Sequence, residues 1–290
     1  MPSAIPISNG MELNEKKIFE LKKTANEVRK TIIKSLVSAG SGHTGGPLGM
    51  ADIFTAFYFY ILKHNPKEPL WSERDILILS NGHIVPARYS AMAHAGYFSV
   101  EEFENGLRKF GTVFQGHPDR KFLPSMETTS GPLGCGLGQA SGIALGAKMD
   151  GKSFYTYCIM SDGEHQEGNL WESVMFAGKY KIDNLTGIID RNNIQITGNT
   201  ENIMPLESLR SKYEAFNWNV IEVDGHDFVK FIEAIEMAKV SRGKPTVIIA
   251  HTIPGKGVKE IENDYKWHGI APNREQGERF LKELEETPVK

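Results

Sequence analysis

Between Ser161 and Gly198 the chain reads SDGEHQEGNLWESVMFAGKYKIDNLTGIIDRNNIQITG, with an aspartate in a glycine turn at its start and paired asparagines in a polar turn near its end. Asp162 offers a hard anionic oxygen, Asn192 a neutral carbonyl oxygen, and Gly163 lets the backbone approach a ligand closely. Two oxygens do not cage a divalent ion. Magnesium takes about six in octahedral array and commonly draws several from phosphate and water, so the pair suits a site that a diphosphate completes. A plainer role fits the same residues, with Asp162 capping the following helix and Asn192 and Asn193 closing a turn. Of nine histidines, His43, His83, His117, His226 and His268 each adjoin a glycine or proline. Such groups shuttle protons near neutral pH, although an isolated histidine is more often a structural hydrogen-bonding group. None of these pairs has the helical or short-loop spacing of zinc ligands.

The elements that must position these residues follow from periodicity. Ile18, Leu21, Ala25, Val28, Ile32 and Leu36 recur at three and four positions, the stripe of an amphipathic helix that begins near Met11. A second apolar helix is predicted over residues 50–62. Short apolar runs at 75–80, 154–160, 185–190, 218–223 and 245–250 read as strands covered on both faces. Helical patterns at 138–149, 170–179, 206–216 and 228–240 separate them. This alternation predicts an α/β fold, a doubly wound, mostly parallel sheet flanked by helices, in one domain spanning residues 1–290. Ligands in such sheets sit beyond the carboxyl ends of the strands, where Asn81-Gly82-His83, Ser161-Asp162-Gly163, Arg191-Asn192-Asn193 and Asp224-Gly225-His226 all fall. The charged stretch 273–286 reads as a solvated helix.

The formal net charge of -3 gives no electrostatic reason to expect nucleic acid or an anionic membrane as partner. Cys135 and Cys158 form neither a metal motif nor a disulfide framework, which suits a reducing cytoplasm. The first ten residues lack a basic head followed by an apolar run, and no apolar run reaches membrane-spanning length. A soluble cytoplasmic protein acting on a small polar substrate is expected.

The spacing from Asp162 to Asn192 is also the pattern of thiamine diphosphate-dependent enzymes, and the flanking text resembles transketolase. GSGHTGGPLGMADI, SNGHIVPARYSAMAHAGY, FGTVFQGHPDR, TTSGPLGCGLGQASGIALGAK and KWHGIAP each resemble a transketolase segment, in transketolase order, from about Lys17 to Pro272. The resemblance implies a thiamine diphosphate-binding fold and, specifically, the diphosphate-binding domain. The pyrimidine-binding and C-terminal domains are expected on a partner chain. It implies magnesium, for which calcium or manganese would substitute, on the Asp162 and Asn192 side chains and the Ile194 carbonyl, with Asn193 a turn residue. Gly163 would meet the diphosphate through its N–H. Gly131, Pro132 and Leu133 would lie against the cofactor ring, and His43, His83, His117 and His268 would surround the thiazolium C2 and the substrate oxygens. Glu167 would belong to an acidic link across a subunit interface. His226 is left structural or peripheral, and Lys256 is read as a surface residue, with reach to the diphosphate as the alternative. Ser161 stands where many members have glycine, which bears on the tightness of that turn.

The activity implied is transfer of a two-carbon ketol unit from a ketose, or ketose phosphate, to an aldose. It requires a glutamate of the pyrimidine domain, which no motif here supplies. The chain is therefore expected to self-associate and to work in a heterotetramer with a separately encoded C-terminal subunit. The aromatic stretch ADIFTAFYFYIL from Ala51 is read as part of the subunit interface, with a plain core helix as the alternative. Alternatives are another thiamine diphosphate enzyme of the deoxyxylulose phosphate synthase-like or 2-oxoacid-processing kind, a non-catalytic diphosphate-binding module, and a Rossmann dehydrogenase. The last fits poorly, because GCGLGQ follows a loop rather than a strand.

Overall fold

The computed structural model describes residues 13–288. The first ten residues and the predicted helix start at Met11 lie outside the described residues. Helix α1 (Glu15–Ala39) opens on Asn14, whose side chain accepts the Lys17 N–H, and closes on Gly40 at φ 66°. Its predicted stripe is buried from Leu21 to Leu36. Helices α2 (Gly45–Gly49) and α3 (Ala51–Ala56) follow, and α3 continues into one π-helical turn, Phe57–Ile61. Then come β1 (Ile76–Leu79), α4 (Val85–His94), α5 (Val100–Gly106), α6 (Cys135–Met149), β2 (Thr156–Ser161), α7 (Gly168–Lys179) and β3 (Leu185–Arg191). A short antiparallel hairpin, β4 (Ile194–Gln195) and β5 (Gly198–Asn199), precedes α8 (Thr200–Ile203), α9 (Leu209–Ala215), β6 (Asn219–Asp224), α10 (Phe228–Val240), β7 (Thr246–His251) and α11 (Arg274–Glu286).

The main sheet is wholly parallel, in the order β1-β2-β3-β7-β6. Alternate residues of each central strand feed opposite layers. Leu77, Leu79, Tyr157, Ile159, Ile188 and Ile248 pack on the side of α1, α3, α4 and α10. Ile78, Cys158, Met160, Ile189, Val247 and Ile249 pack on the side of α6, α7 and α9. A parallel sheet covered on both faces explains why those strands read as continuous apolar runs.

Three expectations need correction. Strand β6 is an edge strand, with Glu222 and Asp224 exposed; among the described residues β7 alone pairs with it. Phe59 apart, the 51–61 stretch is buried in the core of the single chain against β2 and α10, with Phe57 packed on Tyr157 and Phe231, so it is a core helix and not an exposed aromatic face. Helix α11 is solvated on one side only, since Phe280 and Leu284 are buried and Phe280 meets Trp267. Among the described residues no helix is long and apolar enough to cross a membrane.

Candidate active site

The carboxyl ends of β1, β2 and β3 open into a cavity of about 490 Å³ whose walls include His43, His83, His117, Asp162, Asn192 and His268. Gly131, Leu133, Gly163, Glu167 and Ile194 also line it, while Pro132 is exposed beside them. Residues separated by more than two hundred positions in sequence thus share one site.

Backbone packing explains how. The Thr44 hydroxyl donates to the Ile270 carbonyl at 2.6 Å, and the Gly255 N–H donates to the Gly45 carbonyl at 2.8 Å. A Cβ at Gly49 would lie 2.9 Å from the Ile253 carbonyl oxygen, so glycine is what allows the 253–270 strap to lie on α2. That contact carries His268 to 5.5 Å from His43, between ring centroids. On the other side, a Cβ at Gly82 would lie 3.1 Å from the Gly131 N–H nitrogen, which presses the end of β1 onto the Gly131 loop. The His83 ring then stands 4.9 Å from His43 and 5.1 Å from His268, with His117 6.3 Å from His43.

Burial keeps these imidazoles neutral. It lowers the His43 pKa to about 4, helped by the charges of His268, Arg108 and His117. His83 is held well below its ordinary value by burial and by its histidine neighbours. Burial also lowers His117 and His268, with Arg108 adding to the effect at His117. A neutral imidazole presents one donor and one acceptor nitrogen, the form that binds hydroxyls and accepts protons. The buried Nδ1 of His43 has no partner among the described residues.

The oxygen donors line the same cavity. Register between β2 and β3 pairs Ser161 with Asp190, and so sets Asp162 beside Arg191 and Asn192. The Asp162 carboxylate accepts the Gly163 N–H at 2.6 Å and the Asn193 N–H at 2.7 Å. Asn193 takes a left-handed φ of 63°, a conformation asparagine tolerates, which makes it a turn residue. Asn192 donates to Asp190 at 2.8 Å and accepts the Ile194 N–H at 3.0 Å. The lining side chains Asp162 and Asn192 are hard oxygen donors without a thiolate, which suits a hard cation such as magnesium. They are too few to complete its shell, which fits a diphosphate supplying the remaining oxygens. Ser161 is an ordinary buried strand residue whose N–H donates to Glu164 at 3.0 Å, so serine costs the turn nothing.

Some residues here escape sequence reasoning. Arg191 is buried between Asp162 at 3.1 Å, Glu201 at 2.6 Å and Glu207 at 2.8 Å. Glu164 is buried, accepts from Ser80, from the Gly134 N–H at 2.6 Å and from Ser161, and has its pKa pushed up to about 7 by burial. Only a charged residue inside a buried turn signals either of them. His226 is structural: one ring nitrogen meets Asp52 at 2.7 Å, the other accepts the Ile253 N–H at 2.8 Å, and Asp52 also holds Arg29 at 2.5 Å. Glu167 is exposed at the cavity rim.

Comparison with known proteins agrees with this geometry. The family model described as "Transketolase, thiamine diphosphate binding domain" matches residues 21–284. The 6-deoxy-6-sulfo-D-fructose transketolase subunit SqwG of Clostridium sp. (strain MSTE9) is 39% identical over 92% of this chain and 97% of its own length. An apulose-4-phosphate transketolase subunit of Phocaeicola vulgatus is 39% identical over 89% of this chain and 91% of its own. Human transketolase is 34% identical over 93% of this chain, which spans 43% of that protein. Among solved structures, transketolase from Campylobacter jejuni superposes with a TM-score of 0.85 at 35% identity, over 94% of this chain and 43% of that one. Fold, site and sequence agree that the chain belongs to the transketolase family, of which it carries the thiamine diphosphate-binding domain.

Proposed function

We propose that this chain is the diphosphate-binding subunit of a two-subunit transketolase, acting with a partner that carries the pyrimidine-binding domain and its glutamate. The observation that carries this reading is that four neutral histidines and the Asp162 and Asn192 oxygen donors line one cavity. The two relatives named as subunits match this chain over nearly their whole length, which supports a division between chains.

When bound, thiamine diphosphate supplies the carbon nucleophile that ketose cleavage requires. Asp162, Asn192 and the Ile194 carbonyl would hold magnesium against its diphosphate, and Gly163 would offer its N–H. Gly131 and Leu133 would face the ring, with Pro132 between them. The neutral ring nitrogens of His43, His83, His117 and His268 would bind the hydroxyls of the ketose, and one would take the hydroxyl proton as the adjacent carbon–carbon bond breaks. The same group returns a proton when the two-carbon unit joins an aldose. Glu167, at the rim, would extend toward the subunit interface. Both cysteines are free thiols, the state a reducing cytoplasm maintains.

Calorimetry on the assembled enzyme tests the cofactor half of this reading. Thiamine diphosphate with magnesium should bind to the wild type and lose most of its affinity in Asp162→Ala. Equal affinity in both would remove the assignment.

A further inference from the structure

The Asn192 side chain, a wall of the cavity, is held from both ends. Its Oδ1 accepts the Ile194 N–H at 3.0 Å, and its Nδ2 donates to the Asp190 Oδ2 at 2.8 Å. A backbone N–H only donates and a carboxylate only accepts, so these two partners together permit one orientation of the amide. Turned over, it would set its NH2 against the Ile194 N–H and its oxygen against the carboxylate. In the orientation observed, the Ile194 N–H uses one lone pair of Oδ1 and leaves the second for a ligand.

Asp190 is 1% exposed and does not itself line the cavity. It sits on β3 between Ser161 of β2 and Ala250 of β7. Among the described residues its side-chain partners are two uncharged donors, the Asn192 amide and the Thr252 hydroxyl. Buried carboxylates are normally paired with a cation or set at a metal. Its neighbour Asp162 has Arg191, whereas Asp190 has only the assigned cation site nearby.

Thr252 is fixed in turn by the Asp224-Gly225-His226 turn at the end of β6. The Gly225 N–H donates to the His251 carbonyl at 2.8 Å, and the Thr252 N–H donates to the Arg191 carbonyl at 3.2 Å. A Cβ at Gly225 would fall 2.7 Å from the Thr252 Cγ2, so the threonine methyl group is seated where only glycine leaves room. With the methyl there, the hydroxyl meets Asp190. On the next residue, the Ile253 N–H donates to His226 at 2.8 Å.

We propose that Asp190 is a positioning residue for the cation site: it turns the Asn192 carbonyl oxygen toward the metal that binds with the diphosphate, and Thr252, seated on Gly225, holds Asp190 in place. The inference rests on the assignment of Asp162 and Asn192 to the metal and deepens it, because it gives the amide ligand its orientation.

The test uses the complex of this chain with its partner, as wild type, Asp190→Ala, Asp190→Asn, Thr252→Val, Thr252→Ser, Asn192→Ala and the double variants of Asn192→Ala with Asp190→Ala and with Thr252→Val. Manganese is titrated in the presence of thiamine diphosphate, the free ion is read by electron paramagnetic resonance, and melting curves identify the folded variants. Asp190→Ala should weaken manganese binding about 10–100-fold, the usual effect of losing a group that orients a metal ligand. Asp190→Asn, which keeps an acceptor toward Asn192, should lose less, Thr252→Val should fall between wild type and Asp190→Ala, and Thr252→Ser should stay near wild type. Because Asp190 acts through Asn192, each double variant should bind no more weakly than Asn192→Ala alone. Additive losses in the double variants, or wild-type manganese affinity in a folded Asp190→Ala, would overturn the positioning role. If Asp190→Ala does not fold, Thr252→Val decides in its place: a manganese loss that vanishes in the Asn192→Ala background supports the role, and wild-type affinity or an additive loss overturns it. Wild-type manganese affinity in Asn192→Ala would instead remove the metal assignment, and the inference with it.

Discussion

Arg191 and Asp162 form a buried ion pair at the mouth of the sheet, with Nη1 3.1 Å from Oδ2 and both side chains almost wholly enclosed. Burial pushes the Asp162 pKa up, while Arg191 and the N–H groups of Asn193 and Gly163 oppose that shift. The arginine also reaches Glu201 and Glu207, so one guanidinium fixes the carboxylate assigned to the metal and the segment behind the β4–β5 hairpin. Removing one member of a buried pair leaves an uncompensated charge and costs about 3–5 kcal/mol. Arg191→Met should therefore lower thermal stability markedly and weaken magnesium-dependent cofactor binding, with Arg191→Lys milder in both. Melting curves and calorimetry check this, and unchanged cofactor affinity in a folded Arg191→Met would remove its positioning role.

His43 and His268 stand 5.5 Å apart between ring centroids in the cavity that Asp162 and Asn192 also line, and their proposed role is at the reacting carbons. Substituting either with alanine should reduce kcat by ~10²–10⁴-fold, the usual worth of a general acid–base group, while cofactor affinity changes only severalfold. Turnover and calorimetry on the same preparations separate the two effects. Activity lost only through lost cofactor binding would contradict the assignment.

Acid should destabilise the chain through its buried imidazoles. Burial lowers His43 to about 4, from an ordinary value of 6.5. A depressed histidine binds its proton less readily folded than unfolded, so its contribution is complete above pH 6.5 and is lost as pH falls toward 4. His43→Gln should lose less stability than the wild type across that window. Denaturant unfolding at pH 7 and pH 4.5 measures the difference, and parallel losses would count against it.

Gly131 adopts φ 155°, and the nearest atoms a Cβ there would meet belong to the His117 side chain, at 3.7–3.9 Å, ordinary contact distance. Gly131→Ala should therefore fold, with a backbone penalty of about 1–3 kcal/mol, and should weaken thiamine diphosphate binding because the methyl group enters the space assigned to the ring. Calorimetry with cofactor reads this. Wild-type affinity would show that Gly131 does not face the ring.

The parallel sheet was legible because its central strands are apolar at both parities, and α1 because its stripe is unbroken. The turns at strand ends told where the site would gather, and the family resemblance told which turn residues to group. The 51–61 stretch was misassigned to an interface because aromatic content does not reveal whether a helix lies inside a sheet layer or outside it. In α11, abundant charge hid Phe280 and Leu284. The β4–β5 hairpin, only two residues per strand, carries no periodicity. Glu164 meets Ser80 across 84 positions, and Arg108 meets the glycines before two distant histidines. Such partners are joined by the fold alone.

Two-carbon transfer by the purified chain, alone and after addition of its pyrimidine-domain partner, tests the division of labour most directly. Negligible transfer from a ketose to an aldose is expected of the chain alone, with turnover recovered in a complex of two copies of each chain. Robust transfer by this polypeptide alone, with mass spectrometry excluding a partner, would contradict the division.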